Sequence, residues 1–118
     1  MDRSSRLRES YDVKRTRNRG ASGASGPLVG RVLPNALEPA KNRYTVIAGK
    51  RIGKSHERNR CKRVTREALR LMNPTLKQGY DVVIIVRGGI AELTGRDVAE
   101  AALTEIFRKT RLLEQERS

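Results

Sequence analysis

The run YDVVIIV, Tyr80 to Val86, constrains this chain more than any other feature. Side chains of a strand alternate between two faces, so an apolar run without alternation needs cover on both. Gly79 precedes it and Arg87-Gly88-Gly89 follows, which limits it to strand rather than helix length. The sequence therefore predicts a central strand with packing on either side. A chain of 118 residues with 36% hydrophobic content and no tryptophan supplies material for one such core. That size suffices to fold without disulfides or structural metal. The single cysteine, Cys61, and single histidine, His56, agree, since neither a disulfide nor a Cys/His metal site can be built from them. A reducing cytoplasm is the expected compartment. No apolar run reaches the ~18 residues of a membrane span, and the N-terminus MDRSSRLRES lacks the apolar segment of a secretory signal.

The remaining elements follow from local signals. Glu9 to Arg17 reads as a short helix, with Glu9 and Asp12 favourably placed in its first turn. Gly20 to Pro27 reads as a Gly/Ser-rich linker inside the domain. Leu28 to Leu33 and Tyr44 to Ala48 have strand composition and are expected to pair antiparallel, with Pro34 to Pro39 as a loop. Ser55 is the expected cap of a helix that carries Glu57 in its first turn and stops near Asn73-Pro74. Thr94 with Asp97 suggests a capping box opening a last helix to about Leu113, with Val98, Ala102, Ile106 and Leu113 on its apolar side. Residues 1–118 form one domain in this reading, with 1–8 and 114–118 flexible.

Charge narrows the partner. Against 26 Lys+Arg the chain has 13 Asp+Glu, a net charge of +13. Such an excess opposes compaction by self-repulsion and points to a polyanion, with nucleic acid the foremost choice. Residues 50–70 alone hold nine basic and two acidic side chains, Glu57 and Glu67. This block lies between apolar segments, unlike a disordered tail, and so belongs to the folded unit. At 100° per residue, Cys61, Val64, Ala68, Leu71 and Met72 fall in one arc, predicted to be buried. Asn59, Lys62, Arg63, Arg66 and Arg70 fall roughly opposite, with Arg58 and Arg60 at the margins. Ordinary solvated helix faces mix signs, whereas like charges one turn apart repel by a few tenths of a kcal/mol per pair. Phosphate binding explains the stripe better, and the preponderance of arginine suits bidentate contact.

The loop Gly49 to Lys54 imitates a nucleotide-binding P-loop but has three residues between its glycines where that motif needs four. The apolar strand also ends in Arg87 rather than a magnesium-binding Asp. Nucleotide hydrolysis is therefore disfavoured, leaving an anion-binding loop that leads into a helix N-terminus. Cys61 reads as a core residue and His56 as a surface one. No constellation capable of unaided hydrolysis is present.

The run RNRCKRVTREALR from Arg58 to Arg70 resembles the signature helix of the bacterial ribonuclease P protein component. Upstream, Lys50-Arg-Ile-Gly53 is similar to that family's basic loop, and Arg6-Leu7 with Asp12 to Gly20 is similar to its N-terminal segment. Downstream, Gly79 to Arg87 resembles its GxDxVxIxR strand. The resemblance implies an α+β fold, a small mixed four-stranded sheet with three helices, similar to domain 2 of ribosomal protein S5 and containing a left-handed βαβ crossover. General chirality rules favour the opposite hand.

The resemblance further implies a subunit of a ribonucleoprotein endonuclease that removes the 5′ leader of precursor tRNA. Chemistry and Mg²⁺ then belong to the RNA subunit, with no membrane and no obligate protein partner. It assigns RNA contact to Lys50, Arg51, Lys54, Arg58, Asn59, Arg60, Lys62, Arg63, Arg66 and Arg70. A neighbouring cleft for the leader would involve Tyr11, Val13, Arg17 and Arg31, with Lys62 and Arg66 contributing. Val13, Arg17 and Arg31 stand where the family commonly has aromatic residues, so leader binding here is expected to be more electrostatic. A plain RNA-binding or ribosome-associated protein is the main alternative. A DNA-binding architectural protein is less favoured, because no helix-turn-helix spacing or dimer seam is evident.

Overall fold

In the computed structural model, which describes residues 7, 10–89 and 91–113, the apolar run forms β4 (Tyr80–Val86), with five of its seven residues buried. β2 (Leu28–Pro34) pairs with it antiparallel on one side and β3 (Arg43–Ala48) parallel on the other. β1 (Ala21–Ser25) adds antiparallel to the outside of β2, giving the order β1-β2-β4-β3. Three helices complete the domain: α1 (Ser10–Arg19), α2 (Ser55–Met72) and α3 (Arg96–Lys109). This is the expected α+β arrangement of a mixed four-stranded sheet and three helices. A parallel crossover runs from β3 through α2 to β4.

Strand alternation divides the sheet into two unlike faces. Leu28, Val32, Tyr44, Val46, Val82, Ile84 and Val86 join Cys61, Ala68 and Leu69 of α2 and Ala99, Ala102, Leu103, Ile106 and Phe107 of α3 in one buried cluster. α3 lies close over β1 and β2, because Gly23 and Gly30 face each other across the two strands. A Cβ on Gly30 would come within 2.6 Å of the Ile106 side chain. The other face carries Val29, Arg31, Arg43, Asp81 and Ile85, and α1 packs against β2 and β4 there. Asp81 has no solvent exposure and is held by Arg43 through two hydrogen bonds of 2.9 Å, with Asn35 donating to it at 3.0 Å. The Arg43 Nη2 that donates to Asp81 also reaches Asp12 of α1 at 3.3 Å, so this network ties the helix to the sheet.

Several sequence expectations are corrected. Gly20 to Pro27 is no linker: Ala21–Ser25 is a strand, and Gly26-Pro27 forms the two-residue turn of a hairpin between the paired residues Ser25 and Leu28. Small residues with weak strand propensity concealed it; pairing and the overlying α3 define it. The strands β2 and β3 do not pair with each other, since β4 lies between them. α3 begins after Gly95 with no side-chain cap, so the Thr94/Asp97 capping box does not form, and it ends at Lys109. Its buried side is Ala99, Leu103 and Phe107 together with Ala102 and Ile106, while Val98 is exposed. Leu7, within the segment expected to be flexible, is buried, and its N–H donates to the Tyr44 carbonyl on the edge of β3 at 2.7 Å. The remainder of that segment, Glu9 and the C-terminal segment 114–118 lie outside the described residues.

Candidate nucleic-acid interface

Two basic surfaces arise from this framework, one convex and one concave. The convex one begins after β3, where Lys50–Ile52 forms a 3-10 turn that exposes Lys50 and Arg51. Lys54, not Ser55, is the cap of α2, and its N–H donates to the Glu57 carboxylate at 2.8 Å. A Cβ at Gly53 would fall 2.3 Å from that carboxylate, so glycine lets Glu57 fold back over the helix start. The loop is therefore basic, but one of the amides expected to meet an external anion is already satisfied. Ser55 accepts instead from Arg58, at 3.2 Å.

Along α2 the buried residues are Cys61, Thr65, Ala68 and Leu69, while Val64 and Met72 are partly buried and Leu71 is 41% exposed. At 100° per residue the buried arc is turned by roughly 60° from the predicted one. Thr65 enters the core because its hydroxyl donates to the Cys61 carbonyl at 2.9 Å, which satisfies the polar atom locally. Packing of α3 along α2 selects Leu69 over Leu71. The rotation leaves Asn59, Arg60, Arg63 and Arg70 exposed and moves Lys62 and Arg66 to a half-buried margin with Arg58. Arg66 thus does not lie on the fully exposed arc where the helical wheel places it.

Both acidic residues of this region are engaged internally. Glu57 completes the cap, and Glu67 pairs with Arg70 at 2.6 Å. That hydrogen bond, with the Arg70 charge, lowers the Glu67 pKa and raises that of Arg70. Among the described residues no carboxylate pairs with Arg60 or Arg63. Cys61, fully buried, has its thiol pKa raised chiefly by burial, which fits a core role.

The concave surface lies between α1 and the polar sheet face. A cleft of about 420 Å³ is lined by Lys14, Arg17, Asn18, Ser22, Val29, Arg31 and Ile85. Arg17 and Arg31, two of the expected cleft residues, are brought together there, and Arg31 is steadied by donating to the Gly20 carbonyl at 3.1 Å. Tyr11 and Val13 do not line it, nor do Lys62 and Arg66 of α2. Tyr11 is 72% exposed, with the Arg15 guanidinium 6.0 Å from its ring centre. Lys14 and Asn18 are additions the sequence reading missed; Lys14 lies three residues before Arg17 and four before Asn18 on α1, so helical spacing groups them, but which side of α1 meets the sheet is set by packing. Among the described residues no aromatic side chain lines the cleft, so cations and hydrogen-bond donors set its chemistry.

No three His, Cys, Asp or Glu side chains cluster among the described residues, and Asp12 and Asp81 are committed to Arg43. Among the described residues no helix is long and apolar enough to cross a membrane.

Comparison with known proteins bears on this arrangement. A family model described as Ribonuclease P matches residues 1–111. The chain is 38% identical over 110 residues to the ribonuclease P protein component of Caldanaerobacter subterraneus subsp. tengcongensis, covering 93% of this chain and 92% of that protein. It is 35% identical over 115 residues to the corresponding protein of Herpetosiphon aurantiacus, covering 98% and 86%. Its fold is similar to the RNase P protein of Staphylococcus aureus, with TM-score 0.77 at 21% identity over 93% of this chain and 98% of that one. The RNase P protein of Thermotoga maritima is similar too, with TM-score 0.75 at 23% identity over 92% and 98%.

Proposed function

We propose, from the premise that this chain belongs to the bacterial ribonuclease P protein family and is a subunit of that endoribonuclease, a division of labour between its two basic surfaces. The loop Lys50–Ile52 and the outward side of α2 bind the RNA subunit through phosphates, and the α1 cleft receives the 5′ leader of precursor tRNA. The observation that carries this reading is the state of the acids around α2. Glu57 and Glu67 are consumed within the helix, leaving Arg60 and Arg63 exposed and without a carboxylate partner among the described residues.

Bringing two RNAs together costs electrostatic work that falls when cations stand between them. Protein cations fixed on a folded surface do this with release of counterions, so less free magnesium is needed. The chemical step belongs to the RNA subunit together with its Mg²⁺, and the protein contributes positioning and charge in the cytoplasm. Within the cleft, Lys14, Arg17 and Arg31 contact leader phosphates, while Val29 and Ile85 offer a short apolar floor. Without an aromatic lining, stacking worth about 1–3 kcal/mol per base is absent, and leader recognition is backbone-directed rather than base-directed.

The test is cleavage of 5′-labelled precursor tRNA by the cognate RNA subunit at low magnesium, with and without the protein, over a salt series. Stimulated cleavage at the mature 5′ end that weakens steeply with salt is the expected result. Absence of stimulation by stoichiometric folded protein would reject the reading in favour of a plain RNA-binding role. Leader affinity that is insensitive to salt would reject the electrostatic account of the cleft.

A further inference from the structure

α3 ends in a turn whose chemistry neither basic surface explains. The N–H of Leu112 donates to the Phe107 carbonyl at 2.8 Å and that of Arg111 to the Arg108 carbonyl at 3.3 Å, the two bonds of a Schellman motif. The residue that reverses the chain is Arg111, at φ 65°. Glycine takes this left-handed conformation without steric cost, whereas an arginine pays for it locally. The backbone bonds themselves satisfy carbonyls at the helix end, so the Arg111 side chain is not required as a cap. A locally disfavoured residue of this kind asks for a compensating use.

Its surroundings supply one. Arg111, Arg108 and Lys77 border a depression of about 340 Å³ walled by Phe107 and Leu113. The bridge between Leu76 and Leu113, with the Lys77 N–H donating to the Leu112 carbonyl at 2.9 Å, fixes Lys77 beside the helix end. Arg108 pairs with Glu105, but among the described residues no carboxylate pairs with Lys77 or Arg111. Three cations converge on one depression, with Glu105 the one acid at its edge among the described residues, and an anion between them would relieve their repulsion.

The position sets the size of that anion. Lys77 leads into the start of β4, whereas the basic loop follows β3, whose last residue Ala48 lies beside Val86 at the end of β4. The two sites are therefore separated by the length of the strand, about 20 Å at ~3.3 Å per residue. An extended polyanion can engage both. We propose that Lys77, Arg108 and Arg111 form a second phosphate-binding site for the RNA backbone, remote from the Lys50–Ile52 loop and outside the α1 cleft. The proposal rests on the RNA-subunit reading above.

The experiment uses the full chain and the ribonuclease P RNA as probe, with affinity measured over a salt series beside thermal unfolding. Arg111→Gly keeps the turn and removes the strain, so its melting temperature should hold or rise while RNA affinity falls about threefold to tenfold at low salt. The slope of log affinity against log salt should become shallower by about one, and by about two in Lys77→Ala/Arg111→Gly. Arg111→Lys, which retains the charge, should recover most of the slope. Unchanged affinity and slope in folded Arg111→Gly and in the double variant would overturn the second site while leaving the role of α2 intact. If the unaltered protein itself fails to bind this RNA, both readings fall together.

Discussion

The two faces of the sheet are built from alternating residues of the same strands, yet they serve opposite ends. On one, Val32, Val46, Val82 and Ile84 are sealed by two helices, and glycines at 23 and 30 let α3 approach the backbone. On the other, Arg31, Arg43 and Asp81 replace apolar side chains, and the ten-residue α1 covers only part of the surface. The contrast teaches that stability is concentrated where shape is complementary, while the open face must spend a buried carboxylate to hold its helix and keep a cleft. Arg43 is the joint: its hydrogen bond to Asp81 raises its pKa against the opposing effect of burial, and the Nη2 that donates to Asp81 also reaches Asp12.

The open face is the more vulnerable to a single substitution. Asp81→Ala leaves the Arg43 guanidinium without its buried partner and should cost about 3–5 kcal/mol in denaturant unfolding. A loss below about 1 kcal/mol would show that α1 is held mainly by other contacts. On the closed face, Tyr44 is almost fully buried; burial pushes its phenol up to about 12 although Asn42 donates to it. An unfolded tyrosine ionises near 10. The folded state therefore holds this proton more tightly, and stability present below pH 10 should be lost between about pH 10 and 12, by about 2–3 kcal/mol. Tyrosinate absorbance should show Tyr44 ionising with unfolding, and a Tyr44→Phe variant should lack this part of the alkaline loss.

A smaller effect sharpens the shape argument. Gly30→Ala places a methyl against Ile106, whose branched side chain has little freedom to yield, and should cost about 1–3 kcal/mol. Stabilisation instead would mean that α3 shifts freely over β1 and β2. The smallest effect on folding comes from the cations. Arg17→Ala in the cleft and Arg63→Ala on α2 are both exposed changes, each within about 0.5 kcal/mol of the parent in stability. Their binding effects should separate: Arg17→Ala weakens leader-bearing precursor tRNA in the holoenzyme, whereas Arg63→Ala weakens the RNA subunit itself. Equal losses in both assays would dissolve the distinction between the surfaces.

Much of this was legible without coordinates. β4 is where its apolar run places it, because a strand that needs cover on both faces has few positions available. α2 stops at the Asn73-Pro74 boundary, and its basic residues include exposed arginines as the charge pattern requires. Less legible were β1, whose alanines, serines and glycine carry no hydrophobic signal, and the buried side of α2, where Thr65 hides its hydroxyl in a local hydrogen bond. The cleft was half visible: Arg17 and Arg31 were foreseen, but Lys14 and Asn18 depend on how α1 is rotated above the sheet.

Local composition alone specifies the central strand, the helix carrying the arginines and the excess charge that calls for a polyanionic partner. These follow from local composition and periodicity, which act over a few residues. Long-range packing is what joins β3 to β4 rather than β2, buries Leu69 rather than Leu71, and ties α1 to the sheet through the Asp12–Arg43–Asp81 network. Each depends on segments distant in the chain competing for the same surface, and packing settles that competition because an interior side chain must fit all its neighbours at once.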